Sequence, residues 1–218
     1  MSANQDNMDH ILDSGIVAII RADRSDVLID TVHAIHEGGI SAIEITLTTP
    51  GALDAITTCS REMAGKILIG AGTVLDPETA RASILAGAEF IVAPALNPKV
   101  IEVCRRYSTI AIPGALTPTE ILTAWECGAD FVKVFPATTF GPGYFRDIKA
   151  PLPQVNLIPT GGVSLENAGK FMAAGASAVA VGSCLVDKTC IANKDWTTVT
   201  NRARDLVETV RKARQEMT

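Results

Sequence analysis

The chain is poor in the residues that usually mark a reactive centre. It has three histidines in 218 residues, His10, His33 and His36. His33 and His36, with Glu37, fall on a predicted amphipathic helix, where a solvated face fits better than a metal site. Its five cysteines, Cys59, Cys104, Cys127, Cys184 and Cys190, are odd in number and include no C-x-x-C pair. In apolar surroundings such a residue behaves as a small hydrophobe. Positive charge is also short, 19 Lys and Arg against 24 Asp and Glu. That argues against a nucleic-acid footprint, which needs a basic face. Small anions stay possible, because backbone N–H groups can hold phosphate inside an acidic protein. No apolar run reaches the ~20 residues of a membrane span, and the first residues show no basic stretch followed by an apolar core. The expectation is a cytoplasmic protein with no nucleic-acid or membrane partner. No G-x-S-x-G or Walker-type loop occurs, and no G-x-G-x-x-G follows the first strand.

What the chain does have is a repeating unit. The segments starting at Gly38 (GGISAIEI), Ala86 (AGAEFIV), Cys127 (CGADFVKV) and Ala174 (AGASAVAV) each read as a helix-ending glycine, a tight turn and a short apolar strand. Around them, strands are expected at 16–21, 40–47, 67–70, 89–93, 108–112, 129–136, 155–158 and 177–181. A short leading helix is expected at 6–14, and others at 26–37, 51–63, from Asp76, 98–106, 117–126, 164–174 and from Asp195 to the end. Ser25, Asp76 and Ser164 read as N-caps, Asp76 with Pro77 at the first helical position. Strict alternation of strand and helix implies a parallel sheet. With no linker between halves, the expected architecture is one domain over 1–218, a (β/α)8 TIM barrel with a short N-terminal helix. An open doubly wound sheet is the alternative.

In such a barrel, polar side chains at the C-terminal strand ends read as functional. Side chains alternate along a strand, so Phe131, Lys133 and Phe135 share one face and Val132 and Val134 the other. A lysine between two phenylalanines on an inner face is costly to keep charged, and a neutral amine is a nucleophile toward carbonyl carbon. A structural lysine, paired with a buried carboxylate or snorkelling to the strand end, fits the same pattern. Ala42, Glu44 and Thr46 share a face opposite Ile43, Ile45 and Leu47, so Glu44 is expected to point inward, as counter-ion or as proton shuttle. Arg21 ends the first strand, either as a clamp for a carboxylate or as a solvated strand-end charge. Thr73 puts a hydroxyl at the third strand's mouth, while Pro94 and Pro113-Gly114 read as wall. Thr160-Gly161-Gly162 and Gly182-Ser183 follow the seventh and eighth strands, where this architecture holds phosphate.

The motifs Glu44-Ile-Thr-Leu-Thr-Thr, Gly70-Ala-Gly-Thr-Val74, Phe131-Val-Lys-Val-Phe-Pro-Ala137, Pro159-Thr-Gly-Gly-Val163 and Val181-Gly-Ser183 resemble the 2-keto-3-deoxy-6-phosphogluconate (KDPG)/4-hydroxy-2-oxoglutarate aldolase family, in order and from about Ile11 to Val186. The resemblance implies a homotrimeric (β/α)8 lyase, free of metal and cofactor, that forms a Schiff base with a 2-keto acid and yields pyruvate. It implies Lys133 as the Schiff-base lysine and Glu44 as general acid/base. It also implies Thr73 against the pyruvyl part, Pro94 and Phe135 as pocket lining, and Gly161, Gly162 and Ser183 on the phosphate. Many members carry arginine at the position of Thr48; Arg21, from the neighbouring strand, is the candidate replacement. KDPG is the expected substrate. The alternatives are its galactonate epimer, 4-hydroxy-2-oxoglutarate with oxaloacetate decarboxylation as a side reaction, and a phosphosugar-binding barrel without catalysis.

Overall fold

The computed structural model describes residues 3–216. In chain order its elements are α1 (Ala3–Ser14), β1 (Ile16–Ile20), α2 (Leu28–Glu37), β2 (Ala42–Thr46), α3 (Ala52–Glu62), β3 (Leu68–Gly72), α4 (Pro77–Leu85), β4 (Phe90–Val92), α5 (Pro98–Arg106) and β5 (Ile110–Ile112). There follow β6 (Gly114–Ala115), α6 (Pro118–Glu126), β7 (Val132–Val134), a 3₁₀ turn (Ala137–Thr139), α7 (Gly141–Lys149), β8 (Leu157–Pro159), α8 (Ala168–Ala173), β9 (Val179–Val181), α9 (Lys188–Asn193) and α10 (Trp196–Gln215).

The repeated turn is real and has one backbone solution. Gly38, Ala86, Cys127 and Ala174 are the C-caps of α2, α4, α6 and α8. The next residue is always glycine, at φ 97° (Gly39), 100° (Gly87), 90° (Gly128) and 95° (Gly175). A Cβ disfavours that left-handed backbone, so the turn selects glycine. Helix starts are equally local in origin. The side chains of Asp76, Asn97 and Thr117 accept N–H groups of Thr79, Lys99 and Glu120, and proline follows each cap.

Two expected caps are not caps. Ser25 lies in a turn, and α2 begins only at Leu28 with no side-chain cap. Ser164 lies in a turn whose N–H is taken by Asn167 Oδ1 at 2.8 Å, while Asn167 Nδ2 donates to Gly162 O at 2.9 Å. That folded-back asparagine delays α8 to Ala168. Helices α7 and α9 lie outside the expected set. Most strands are shorter than expected, because inter-strand pairing stops before the apolar run does; β3 instead runs two residues further, to Gly72, and β8 is shifted to Leu157–Pro159.

All strand pairs are parallel. One hydrogen-bonded run has the order β5-β4-β3-β2-β1-β9 and the other β6-β7-β8. Together they make a curled parallel sheet with helices outside. Ile43 and Ile45 join the large cluster between sheet and helices, while Val17, Ala42, Phe90, Ile112, Phe131, Ile158 and Ala180 form a second cluster on the inner face. The expected alternation on β2 and β7 therefore holds. Helix α1 lies across the N-terminal strand ends. Its Asn4, Asn7 and His10 side chains bond Asp130, Glu89 and Ser41, each close ahead of a strand. Its Ile11 is fully buried against the inner cluster. Among the described residues no helix is long and apolar enough to cross a membrane.

Candidate active site

Lys133 sits at the centre of β7, in register with Gly114 of β6 and Ile158 of β8. It is 7% exposed. Parity turns it to the inner face behind Phe131, and its Nζ lies 5.1 Å from the centroid of the Phe135 ring. Burial pushes the amine below its ordinary range; the charge of Glu44 opposes that, and the charge of Arg21 adds to it. Glu44, on β2 beside Ile19 of β1 and Gly70 of β3, is 1% exposed. Burial pushes its carboxyl above the usual range, against the pull of Lys133 and Arg21. The two shifts run toward a neutral amine and a neutral acid in one apolar space. Such a pair can attack a carbonyl and move protons with little solvation to undo.

Space for the acid comes from a residue whose partner is invisible in a linear reading. A Cβ on Gly72 would overlap Glu44 Oε1, and one on Gly70 would overlap the Phe90 ring. Two glycines on β3 thus let a carboxylate and an aromatic ring cross the inner face. Glu44 Oε2 is buried and has no hydrogen-bond partner. Gly72→Ala is expected to destabilise the fold by about 1–3 kcal/mol. The check is urea unfolding, with a lower midpoint at unchanged slope.

Around this pair the strand ends form a rim. Arg21 is exposed and follows β1 directly. Thr73 follows β3 with φ 60°, a left-handed backbone rare for a β-branched residue. Pro94 is half-buried, and its backbone occupies the space a Cβ on Gly114 would need. Phe135 is 39% exposed and lies 3.3 Å from the Cβ position of Gly161. Thr160 is buried with an unpartnered Oγ1. Its bridge to Ala180 sets Gly161 and Gly162 beside the chain leading to Gly182 and Ser183. Gly161 and Gly162 have φ 87° and 71°, and the Thr138 side chain fills the place of a Gly162 Cβ. Lys133, Glu44 and Arg21 thus act on one another, Phe135 links the lysine to Gly161, and the glycine loops lie side by side. The sequence reading missed Gly72 and Thr138. Glycine inside an apolar strand was the available signal for Gly72; Thr138 left none. Among the described residues, no three His, Cys, Asp or Glu side chains could hold a metal ion.

Comparison with known proteins places this arrangement in context. The family model for KDPG and KHG aldolase matches residues 8–202. The 2-dehydro-3-deoxy-6-phosphogalactonate aldolase of Escherichia coli K12 is 37% identical over 171 residues, covering 78% of this chain and 83% of that protein. The 2-dehydro-3-deoxy-phosphogluconate aldolase of Pseudomonas aeruginosa is 34% identical over 194 residues, 88% of each chain. The Legionella pneumophila KDPG aldolase, solved with pyruvate captured as a covalent carbinolamine, superposes with a TM-score of 0.83 at 26% identity, covering 91% of this chain and 97% of that one.

Proposed function

Since this chain belongs to the KDPG and KHG aldolase family and is a carbon–carbon lyase, we propose that it cleaves 2-dehydro-3-deoxy-6-phosphogluconate through a Schiff base on Lys133, releasing pyruvate and glyceraldehyde 3-phosphate. The observation that carries this reading is the burial of one amine and one carboxyl in each other's field.

Neutral Lys133 attacks the C2 ketone to give a carbinolamine, and loss of water gives an iminium. Glu44, protonated at the start, gives its proton to the leaving hydroxyl as water departs. The carboxylate so formed, directly or through a water, takes the C4 hydroxyl proton as the iminium draws electrons from the C3–C4 bond. Glyceraldehyde 3-phosphate departs, the enamine takes a proton at C3, and hydrolysis frees pyruvate and the lysine. Arg21 holds the substrate carboxylate as a two-pronged donor. Thr73, Pro94 and Phe135 surround the pyruvyl part, and Thr160, Gly161, Gly162, Gly182 and Ser183 hold the phosphate. The same proposal includes closure of the sheet into a one-domain (β/α)8 ring. In its support, β5 runs through Pro113 into β6, the Pro113 carbonyl accepts the Lys133 N–H at 2.9 Å, and Thr160 bridges to Ala180.

Borohydride added with pyruvate is expected to leave a carboxyethyl group on Lys133, read by peptide mass spectrometry. An unmodified Lys133 under conditions of full turnover would count against the mechanism. The galactonate epimer is a second reading, favoured by the E. coli relative above. The two substrates differ at C4, where the Glu44 carboxyl acts. A preference for the gluconate-derived acid of about tenfold or more in kcat/KM supports the first reading; the reverse preference supports the second.

A further inference from the structure

The mouth of β1 and β2 holds a chain of hydroxyl groups that the reaction as derived does not use. Thr46 ends β2 on the same face as Glu44 and is 1% exposed. Its Oγ1 lies 3.2 Å from Thr48 Oγ1 and 3.4 Å from Thr49 Oγ1. Thr49 is 2% exposed, and its Oγ1 accepts the buried N–H of Ala22 at 3.1 Å. Ala22 is the residue after Arg21. The register Ile19↔Glu44 and Ile20↔Ile45 brings Arg21 level with Thr46 at the end of the pairing. A buried N–H needs an acceptor, and here a threonine side chain 27 positions along the chain supplies it.

We propose that Thr49 is a positioning residue, whose hydroxyl fixes the segment after β1 so that Arg21 faces the substrate carboxylate beside Glu44. This rests on the carboxylate-binding reading of Arg21. Arg21 itself is exposed on a segment beyond the last paired residue of β1, so its direction depends on what holds the neighbouring peptide. Thr49 touches no reacting atom in this account. It acts through Ala22 and then Arg21 by its hydroxyl, a group that serine also carries.

The test is a double-mutant cycle in steady-state kinetics, with pyruvate as the varied substrate in the synthetic direction. Thr49→Val is expected to raise KM for pyruvate about tenfold while kcat stays within about twofold. Thr49→Ser is expected to restore the wild-type KM. In an Arg21→Ala background, Thr49→Val is expected to add less than about twofold, because the group it positions is gone. A pyruvate KM near wild type in Thr49→Val, a fall in kcat with KM unchanged, or an equal effect in both backgrounds overturns the inference. If Arg21→Ala itself leaves KM unchanged, the carboxylate reading falls as well; if Arg21→Ala raises KM and Thr49→Val does not, only the role of Thr49 falls. Circular dichroism checks folding. Should Thr49→Val not fold, Thr49→Ala removes the same acceptor from the Ala22 N–H without added bulk and is expected to raise KM about tenfold without a matching change in kcat; an unchanged KM there overturns the inference.

Discussion

Lys133→Met is expected to lower kcat/KM about 10⁵-fold and to leave no borohydride-trapped adduct, while raising the melting temperature. The loss follows from removing the only group proposed to form the covalent intermediate; single deletions of a nucleophile typically cost that order. The gain in stability follows from burial. Methionine fills a similar volume and needs no solvation, whereas the lysine amine is pushed below its ordinary value of 10.5 mainly by desolvation. A base whose folded pKa is lowered binds protons less well folded than unfolded. Its penalty therefore begins as pH falls below 10.5 and is complete once pH lies under the folded value. The melting-temperature gap between variant and wild type should accordingly widen as pH drops below 10.5, and level off only under the lowered folded value. The same titration governs rate: kcat/KM of the wild type should rise with pH along a limb set below 10.5. A gap independent of pH, or a variant retaining turnover within a hundredfold, would remove Lys133 from its proposed role.

Glu44→Gln is expected to lower kcat by about 10²–10⁴-fold with KM nearly unchanged. Glutamine keeps the shape that lies over Gly72, so the pyruvate adduct on Lys133 should still be trapped, though more slowly. What it cannot do is take the C4 hydroxyl proton. The stability argument runs opposite in pH to that for lysine. The folded Glu44 carboxyl is pushed up by desolvation, so the wild type is at its best below 4.5 and loses stability as pH rises through the raised folded value. The variant, lacking this titration, should gain relative to wild type over the same rise. Thermal melts across the acidic range, set beside stopped-assay kinetics, check both halves. Full activity in Glu44→Gln would assign proton transfer to another group.

Much of this site was legible because its residues obey strand parity. Lys133 between phenylalanines and Glu44 between alanine and threonine announce their face without any partner being known. The glycine turns after α2, α4, α6 and α8 were legible for a similar reason, since each is a local backbone requirement. Features that depend on a second segment were not. Ser25 and Ser164 have the right chemistry for helix caps, but Asn167 reaches back to Ser164 and Gly162 and takes the position itself. Helix α7 opens with Gly141-Pro-Gly143, residues that offer no helical periodicity, yet Phe145 and Ile148 bury its inner side and hold it helical. The roles of Gly72, Thr138 and Thr49 appear only when a neighbouring strand or loop is laid beside them. Each is defined by what it leaves room for or what it ties down.

The placement of α1 bears on traffic. With Ile11, Met8 and Leu12 packed on the inner cluster, the side of the sheet that α1 crosses is stoppered by apolar side chains. In the proposed reaction, sugar acid, the water shed on imine formation, the departing aldehyde and pyruvate would then pass on the opposite side, by the strand ends that carry Arg21 and Phe135. The order of release follows from bonding in that scheme: the aldehyde, cut free at C3–C4, leaves before the pyruvyl fragment still attached to Lys133.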